Sequence, residues 1–387
     1  MTTCTICIVG DGLAGATAAA ALSAAGFDCA LIGRGDAAGT DVRTTALMPE
    51  TVSLLRGCGV WDHAAATAYP LERMRIIDGG AVVDFTAEEV GQPALAWNVP
   101  NAALRAAGLA AADAQGVTRV TGEAIGIQRR NGVATVRLGD GGGIAAELVI
   151  AADGEASRMR SAAGVSARRW DYGLSALTFP VTAQIDPGAT SVERYLPTGS
   201  ITTVPTGDMV SIVWIADHET TAERDALNDW DLAKDAAAAV DGDLGDLRIA
   251  GPRARFPLRG LHARRYGRDG VALIGEAAHR VPPLGSQGFN LTARDVIGLR
   301  AALLDARRDG VALGASAVLS RYDRARRPDV TSRIFAVDAL TRFVSAKDGR
   351  PLALLRGAGL RMLGGSAGAI RRLLMREGME PRLARYA

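Results

Sequence analysis

Lysine is nearly absent from this sequence, occurring only at Lys234 and Lys347 among 44 basic residues. The arginine bias is read first as genomic composition. With 42 acidic residues the formal net charge is only +2, so there is no general nucleic-acid footprint. Long apolar runs are missing too: none approaches the roughly 20 residues that span a bilayer. The N-terminus has no basic n-region and no cleavable apolar segment, which predicts a cytoplasmic protein. No internal repeat or low-complexity tract is present. Cysteine is scarce, and Cys4, Cys7, Cys29 and Cys58 all fall in the first sixty residues. Cys4 and Cys7 have the spacing of a CxxC redox or zinc site. On a strand, however, that spacing points them to opposite faces, which favours small buried thiols in a reducing compartment. No metal site is expected.

What remains suits a soluble globular chain of one large or two interlocked domains: 387 residues, 48% hydrophobic and 22% charged, with 46 glycines. The segment that organises it is Thr3–Gly33. The apolar run Ile6-Cys7-Ile8-Val9 turns through Gly10-Asp11-Gly12-Leu13-Ala14-Gly15. An alanine-rich stretch then runs to Gly26, and a second apolar run, Cys29-Ala30-Leu31-Ile32, follows. This is the strand, GxGxxG turn, helix and strand of a dinucleotide-binding unit. Gly10 serves the tight turn, Gly12 the approach of backbone to a pyrophosphate, and Gly15 the packing of helix on strand. The helix N-terminus offers N–H groups to the phosphates. The acid that such units carry at the end of the second strand, for the ribose, is missing: Gly33 stands there, followed by Arg34. If a dinucleotide binds, Arg34, Arg43 or nearby backbone are the candidates to replace it.

Further along, Pro49–Gly57 reads as a short helix and residues 71–90 as a hairpin. Pro100-Asn101 opens a helix over Ala102–Gln115. Short strands follow at Val117–Val120, Ala124–Arg129, Val133–Leu138 and Leu148–Ala152, with an Asn131-Gly132 hairpin turn. A second β region covers Ala176–Ile185, Ser191–Tyr195, Gly199–Val204 and Met209–Ile215. A helix over Thr220–Val240 and a strand at Arg253–Leu258 come next. The run Val271–Gly275 returns to strand and glycine turn, before a helix at Asn290–Arg307 and a helical final seventy residues. The expected fold class is α/β: a Rossmann-like dinucleotide-binding domain with an inserted antiparallel β-sheet substrate domain and a helical C-terminal segment. The corresponding divisions are 1–70, 97–172 and 268–330; 71–96 and 173–267; and 331–387.

Two later motifs repeat the logic of the first. One is Ala151-Ala152-Asp153-Gly154-Glu155-Ala156-Ser157-Arg158, where Asp153 is either a ligand contact or a helix N-cap. The other is Gly275-Glu276-Ala277-Ala278-His279, followed by Pro282-Pro283-Leu284-Gly285-Ser286-Gln287-Gly288-Phe289-Asn290. It delivers an acid at a strand's C-terminal end, where open α/β sheets bind ligands. Its glycines leave room for a flat ring system. Together with the DxRxxAL segment Asp41–Leu47 and Trp97-Asn98-Val99-Pro100-Asn101, these motifs resemble the class A flavoprotein monooxygenases of the p-hydroxybenzoate hydroxylase-like group. Within it they resemble most the UbiH/UbiF-type ubiquinone-biosynthesis hydroxylases. Tyr322–Asp329 and Arg371–Gly378 also resemble that group, so the likeness spans the whole chain.

The resemblance implies FAD as cofactor, NAD(P)H as co-substrate, and O₂-dependent hydroxylation of a polyprenylated phenol or quinol through a flavin hydroperoxide. It implies cofactor contacts from Gly10, Gly12, Leu13, Ala14 and Gly15, from Arg34 and Arg43, and from Asn101 near the ring. Asp153 and Gly154 belong to the motif linked to both FAD and NAD(P)H. Gly275 and Glu276 (aspartate in the family) belong to the ribityl contact, and Pro283, Gly285, Gln287, Gly288 and Asn290 to the ring. His279 is a candidate catalytic base, with a structural place in its motif as the alternative. The basic residues from Arg342 to Arg376, interleaved with leucines, form an amphipathic tail. It suits either peripheral contact with an anionic membrane or a quinone-biosynthesis complex, or packing on the core. Two other readings remain open: a weakly or non-catalytic flavin- or lipid-binding partner in quinone synthesis, and an NAD(P)-dependent dehydrogenase, which leaves Gly285–Asn290 unexplained.

Overall fold

The computed structural model describes residues 2–35, 41–130 and 132–345, together with Arg372 and Met375. Its first strand, Thr2–Val9, is buried on both faces from Ile6 to Val9, as in a parallel sheet covered on both sides. It pairs in parallel with Cys29–Gly33 on one side and Gly143–Ala151 on the other. Thr118–Thr121 extends the sheet beyond the former and Val271–Leu273 beyond the latter, both parallel. The opening strand is thus central, at the point where strand order reverses and ligands bind in open α/β sheets. The hairpin Ala124–Arg130 and Val133–Leu138 joins antiparallel on Gly143–Ala151.

The alanine-rich helix Leu13–Ala24 packs on this sheet and against the helices Asn101–Ala114 and Gln287–Arg308. Small residues permit the approach: a β-carbon on Gly108 would lie 3.0 Å from that of Ala16. Cys7, Cys29 and Cys58 are buried free thiols and Cys4 is half-buried; burial pushes the Cys29 thiol up to about 12.

A second sheet lies over the first layer. Its order is His279–Arg280, Ala254–Ala263, Ala167–Ala183, Val210–Asp217, Gly199–Pro205, Thr190–Leu196, Arg73–Asp78 and Ala81–Thr86. One face buries Leu177, Phe179, Ile201, Ile212 and Trp214 against Leu232 and Ala236 of the helix Asp229–Ala239. The other carries Leu174, Ala176 and Ile215 against Leu284 and Val337, and so faces the helical layer of the first sheet. A small sheet of Thr44–Leu47, Ala96–Pro100 and Tyr69–Leu71 sits beside them.

Several elements differ from expectation, among them the strand read at Arg253–Leu258, which is Ala254–Ala263. The helix read over 220–240 is two, His218–Ala226 and Asp229–Ala239. Asn228 caps the second by accepting from the Asp231 N–H at 3.0 Å, and Arg253 Nη1 takes the carbonyls of Asp225 and Leu227 between them. The strand expected from residue 176 begins at Ala167 and runs through position 172, where a division was expected; its charged start, Arg168-Arg169-Trp170-Asp171, disguised it. Gly143–Ala151 likewise begins five residues before its expected start. The final described helix is Ser316–Ser345. Of the basic tail beyond residue 345, only Arg372, exposed, and Met375, packed on Val90, lie within the described residues. Among the described residues no helix is long and apolar enough to cross a membrane, and no group of three His, Cys, Asp or Glu side chains could hold a metal.

Candidate functional site

The glycine turn explains itself residue by residue. Gly10 has φ +109°, and a β-carbon there would overlap the Ala152 carbonyl. One on Gly15 would overlap the carbonyl of Gly10. These two glycines are demanded by the protein's own packing. Gly12 is different: a β-carbon there would meet nothing within 4 Å. It is the N-cap of Leu13–Ala24, has extended backbone, supplies no side-chain cap, and precedes a first turn without an acid. The free N–H groups and positive dipole end of that helix therefore face open space.

At the end of the second strand Gly33 is buried, and a β-carbon on it would fall inside the side chain of Asp11. Asp11 Oδ2 accepts from Arg105 Nη2 at 2.6 Å, and Arg105 Nε donates to the Asp11 carbonyl at 2.7 Å. Both side chains are mostly buried. Arg34 is exposed just beyond. Neither Asp11 nor Arg105 stood out in the sequence. The available signal was an acid at a variable position of the turn combined with a glycine where the strand usually ends in an acid.

Arg43 forms a two-pronged pair with Asp41, with both hydrogen bonds at 2.7 Å, and its guanidinium lies 5.7 Å from the Phe256 ring centre. Burial pushes the Asp41 carboxyl up, but the hydrogen bond and charge of Arg43, with Asn101 assisting, hold it below its ordinary value. Asn101 Nδ2 donates to Asp41 Oδ2 at 3.1 Å, and its Oδ1 accepts from Thr45 at 2.6 Å. The Asn101 side chain thus fastens the Asp41–Thr45 segment to the start of the Asn101–Ala114 helix. Asp153 lies against the first turn, its neighbour Ala152 touching Gly10. Its carboxylate accepts from the Ser157 hydroxyl and, at 3.1 Å, from the Met159 N–H. It braces the helix Arg158–Ala162, whose cap is Ser157. Gly154, at φ +79°, has open space around it.

The third motif is pressed against the first. A β-carbon on Gly275 would lie 3.1 Å from that of Ala14 and 3.1 Å from Thr292 Oγ1. Glu276 is exposed beside it, in a loose 3.8 Å pair with Arg280, and its charge helps raise the Arg43 pKa. His279 is buried, with Nε2 2.6 Å from Asp295 Oδ2. Asp295 also accepts from the Gly275 N–H at 3.0 Å and from Arg326 Nε at 2.9 Å. Burial pushes Asp295 up, but the charges of His279 and Arg326 bring it below the usual carboxylate value. The structure therefore places His279 in an internal brace beneath the turn.

Gly285 has φ +64° and Ser286 φ +53°. The helix Gln287–Arg308 starts there without a side-chain cap or an acid in its first turn. Pro283, Gly285 and Gly288 are exposed. Asn290 is wholly buried; it donates to the Ala46 and Ser286 carbonyls and accepts from the Met48 N–H and the Thr51 hydroxyl. It ties the loop to the DxRxxAL segment. Gln287 Oε1 is buried with no partner among the described residues.

Exposed Gly12, Glu276, Pro283, Gly285 and Gly288 and two bare helix N-termini thus gather at one end of the parallel sheet. That arrangement suits an extended anionic ligand held through backbone N–H groups. A Ser175–His218–Asp171 chain does occur on the second sheet, at 2.7 and 3.4 Å. Its serine is buried and joins strand to helix.

The family model described as FAD binding domain matches residues 3–334. A Rhodospirillum rubrum protein named ubiquinone hydroxylase UbiL is 33% identical, covering 97% of this chain and 89% of its own length. The Escherichia coli 3-demethoxyubiquinol 3-hydroxylase is 34% identical over 84% of this chain and 85% of its own. The fold is similar to p-nitrophenol 4-monooxygenase of Pseudomonas putida, with TM-score 0.82 and 17% identity over 99% of this chain and 100% of that one. It is also similar to a Klebsiella pneumoniae HpxO variant complexed with FAD, with TM-score 0.77 and 20% identity over 97% and 98% of the two chains. The residues present suit FAD: the bare N-terminus at Gly12 offers a pyrophosphate its N–H groups, and the orphaned Gln287 Oε1 and exposed glycines suit a polar flat ring. The chain belongs to the FAD binding domain family and is a flavoprotein monooxygenase.

Proposed function

We propose that this monooxygenase hydroxylates the aromatic ring of a polyprenylated phenol or quinol in ubiquinone biosynthesis, using NAD(P)H and O₂. The observation that carries the reading is the close approach of Gly275 to the first turn, where a β-carbon on it would lie 3.1 Å from that of Ala14. It sets the third motif against the first, in a chain whose relatives are named for ubiquinone hydroxylation. FAD supplies the redox and oxygen-activating chemistry when bound.

The chain's own residues bind, orient and exclude water. Gly12, Leu13 and Ala14 would hold the pyrophosphate on the turn that Gly10 and Gly15 shape, with Arg43 and Arg34 as the further cationic contacts. Asp153 and Gly154 support the turn, Glu276 takes the ribityl chain, and Pro283, Gly285, Gln287 and Gly288 face the ring. Asn101, Asn290 and His279 position these groups from behind. Residues 1–70, 97–172 and 268–330 serve the cofactor; 71–96 and 173–267 serve the substrate. The basic segment after Arg342 brings the enzyme to a membrane or to a quinone-synthesis complex.

The test supplies purified protein with FAD, NAD(P)H, ¹⁸O₂ and a short-chain prenylated phenol. A ring product carrying labelled oxygen is expected. Flavin uptake with NAD(P)H oxidation that yields only hydrogen peroxide, whatever the phenol, would overturn the reading.

A further inference from the structure

We propose that Asp11 supplies the ribose-binding acid that the second strand lacks, with Arg105 as its positioning residue; this rests on the FAD reading above. A dinucleotide-binding unit needs a carboxylate at the end of its second strand to accept from a ribose hydroxyl. Here that position is Gly33, and the space a side chain would occupy there is filled by the Asp11 side chain. A carboxylate therefore stands at the end of the second strand, delivered from the glycine turn instead of the strand. The two solutions exclude each other sterically: an acid at 33 cannot coexist with Asp11 as it lies.

A carboxylate so near a pyrophosphate needs a counter-charge, and Arg105 provides it. Its Nη2 holds Asp11 Oδ2 at 2.6 Å, while its Nε holds the Asp11 carbonyl at 2.7 Å and so fixes the turn. Two donors of one rigid guanidinium set both backbone and side chain of the same residue. Asp11 Oδ1 accepts no hydrogen bond among the described residues, which leaves it for a hydroxyl donor. The lone acid of the turn, the missing acid of the strand and the arginine that reaches across 94 residues form one arrangement.

The test measures FAD affinity of the apo-protein by quenching of flavin fluorescence. Two ligands are compared: FAD, and an analogue lacking the adenosine ribose hydroxyls. In the wild type the analogue is expected to bind about tenfold to a hundredfold more weakly, as for a lost hydrogen bond to a charged acceptor. Asp11→Asn should weaken FAD by a similar factor and leave the analogue unchanged. Arg105→Lys should shrink the difference between the ligands. The exchange Asp11→Gly with Gly33→Glu should restore both the affinity and the hydroxyl preference, which keeps the test open should Asp11→Asn fold poorly. Wild type that takes up FAD but binds both ligands equally, or an Asp11→Asn variant that retains the preference, would overturn the inference and leave the flavoprotein assignment intact. Wild type that takes up no FAD would overturn both.

Discussion

The helices that begin at Gly12 and Ser286 and those that follow Asp217 and Asn228 face the same problem and treat it oppositely. Each has N–H groups in its first turn without helical partners. On the second sheet they are answered from within: Asp217 accepts from the Thr220 N–H at 2.9 Å, Asn228 from that of Asp231 at 3.0 Å, and acids fill both first turns. At the glycine turns there is neither cap nor acid. The helix Asn101–Ala114 also starts without a side-chain cap or an acid, but only at the glycine turns does the open start coincide with exposed glycines at the end of the parallel sheet, where a ligand can complete it. Within the open turn the glycines divide again: Gly10 and Gly15 are required by the fold, whereas Gly12 borders open space.

That division predicts the largest effect. Gly15→Ala puts a methyl group on the Gly10 carbonyl and should cost about 4 kcal/mol or more, or abolish folding. Gly12→Ala, which meets nothing, should stay within about 1 kcal/mol of wild type. Equal losses in urea denaturation of the two variants would break the distinction. Next comes the brace beneath the second turn. Asp295→Asn takes a buried carboxylate from both His279 and Arg326, leaving Arg326 its pair with Asp329, and should cost about 3 kcal/mol in the same assay.

The second sheet has an unanswered buried carboxyl of its own, which sharpens the contrast. Glu193 is buried, its Oε1 has no partner, and burial pushes its carboxyl up from 4.5 to about 7. Between those values the folded chain holds a proton that the unfolded chain has released. Stability should therefore fall as pH rises from about 4.5 to about 7 and then level, by about 3 kcal/mol in all. Glu193→Gln should flatten the slope in urea midpoints taken across that window; an unchanged slope would assign it to other groups. The smallest effect belongs to an answered helix: Asn228→Ala should cost about 1 kcal/mol and leave FAD affinity as it was.

Much of this was legible in the sequence because it is local. The Ile6–Val9 run with its turn, the hairpin over 71–90, the Val271–Ile274 strand and the Pro49–Gly57 helix each carry their signal within a few residues. What was not legible depends on partners far along the chain. Arg105 reaches Asp11, Asn290 reaches Ala46, and His279 is held by Asp295 and, through it, Arg326. The break at residues 227–228 shows the same limit. Asn228 caps the second helix, but Arg253, which takes the carbonyls of Asp225 and Leu227, comes 26 residues after the latter, just ahead of the strand Ala254–Ala263. Even the missing acid at Gly33 was visible, while its replacement could be recognised only once the loop and strand end lay side by side.

The most direct measurement titrates FAD into wild type and a Gly12→Asp variant, with thermal melting of both apo-proteins. Gly12 already has extended N-cap backbone and open space for a side chain, so aspartate there should supply the absent cap. The variant should melt at or above wild type, gaining about 0.5 kcal/mol, and bind FAD at least about a hundredfold more weakly because its carboxylate takes the place of the pyrophosphate. Wild type should bind FAD and show the flavin's visible absorption. A wild type that stays colourless with added FAD, or a variant that binds FAD as well as wild type does, would contradict the account.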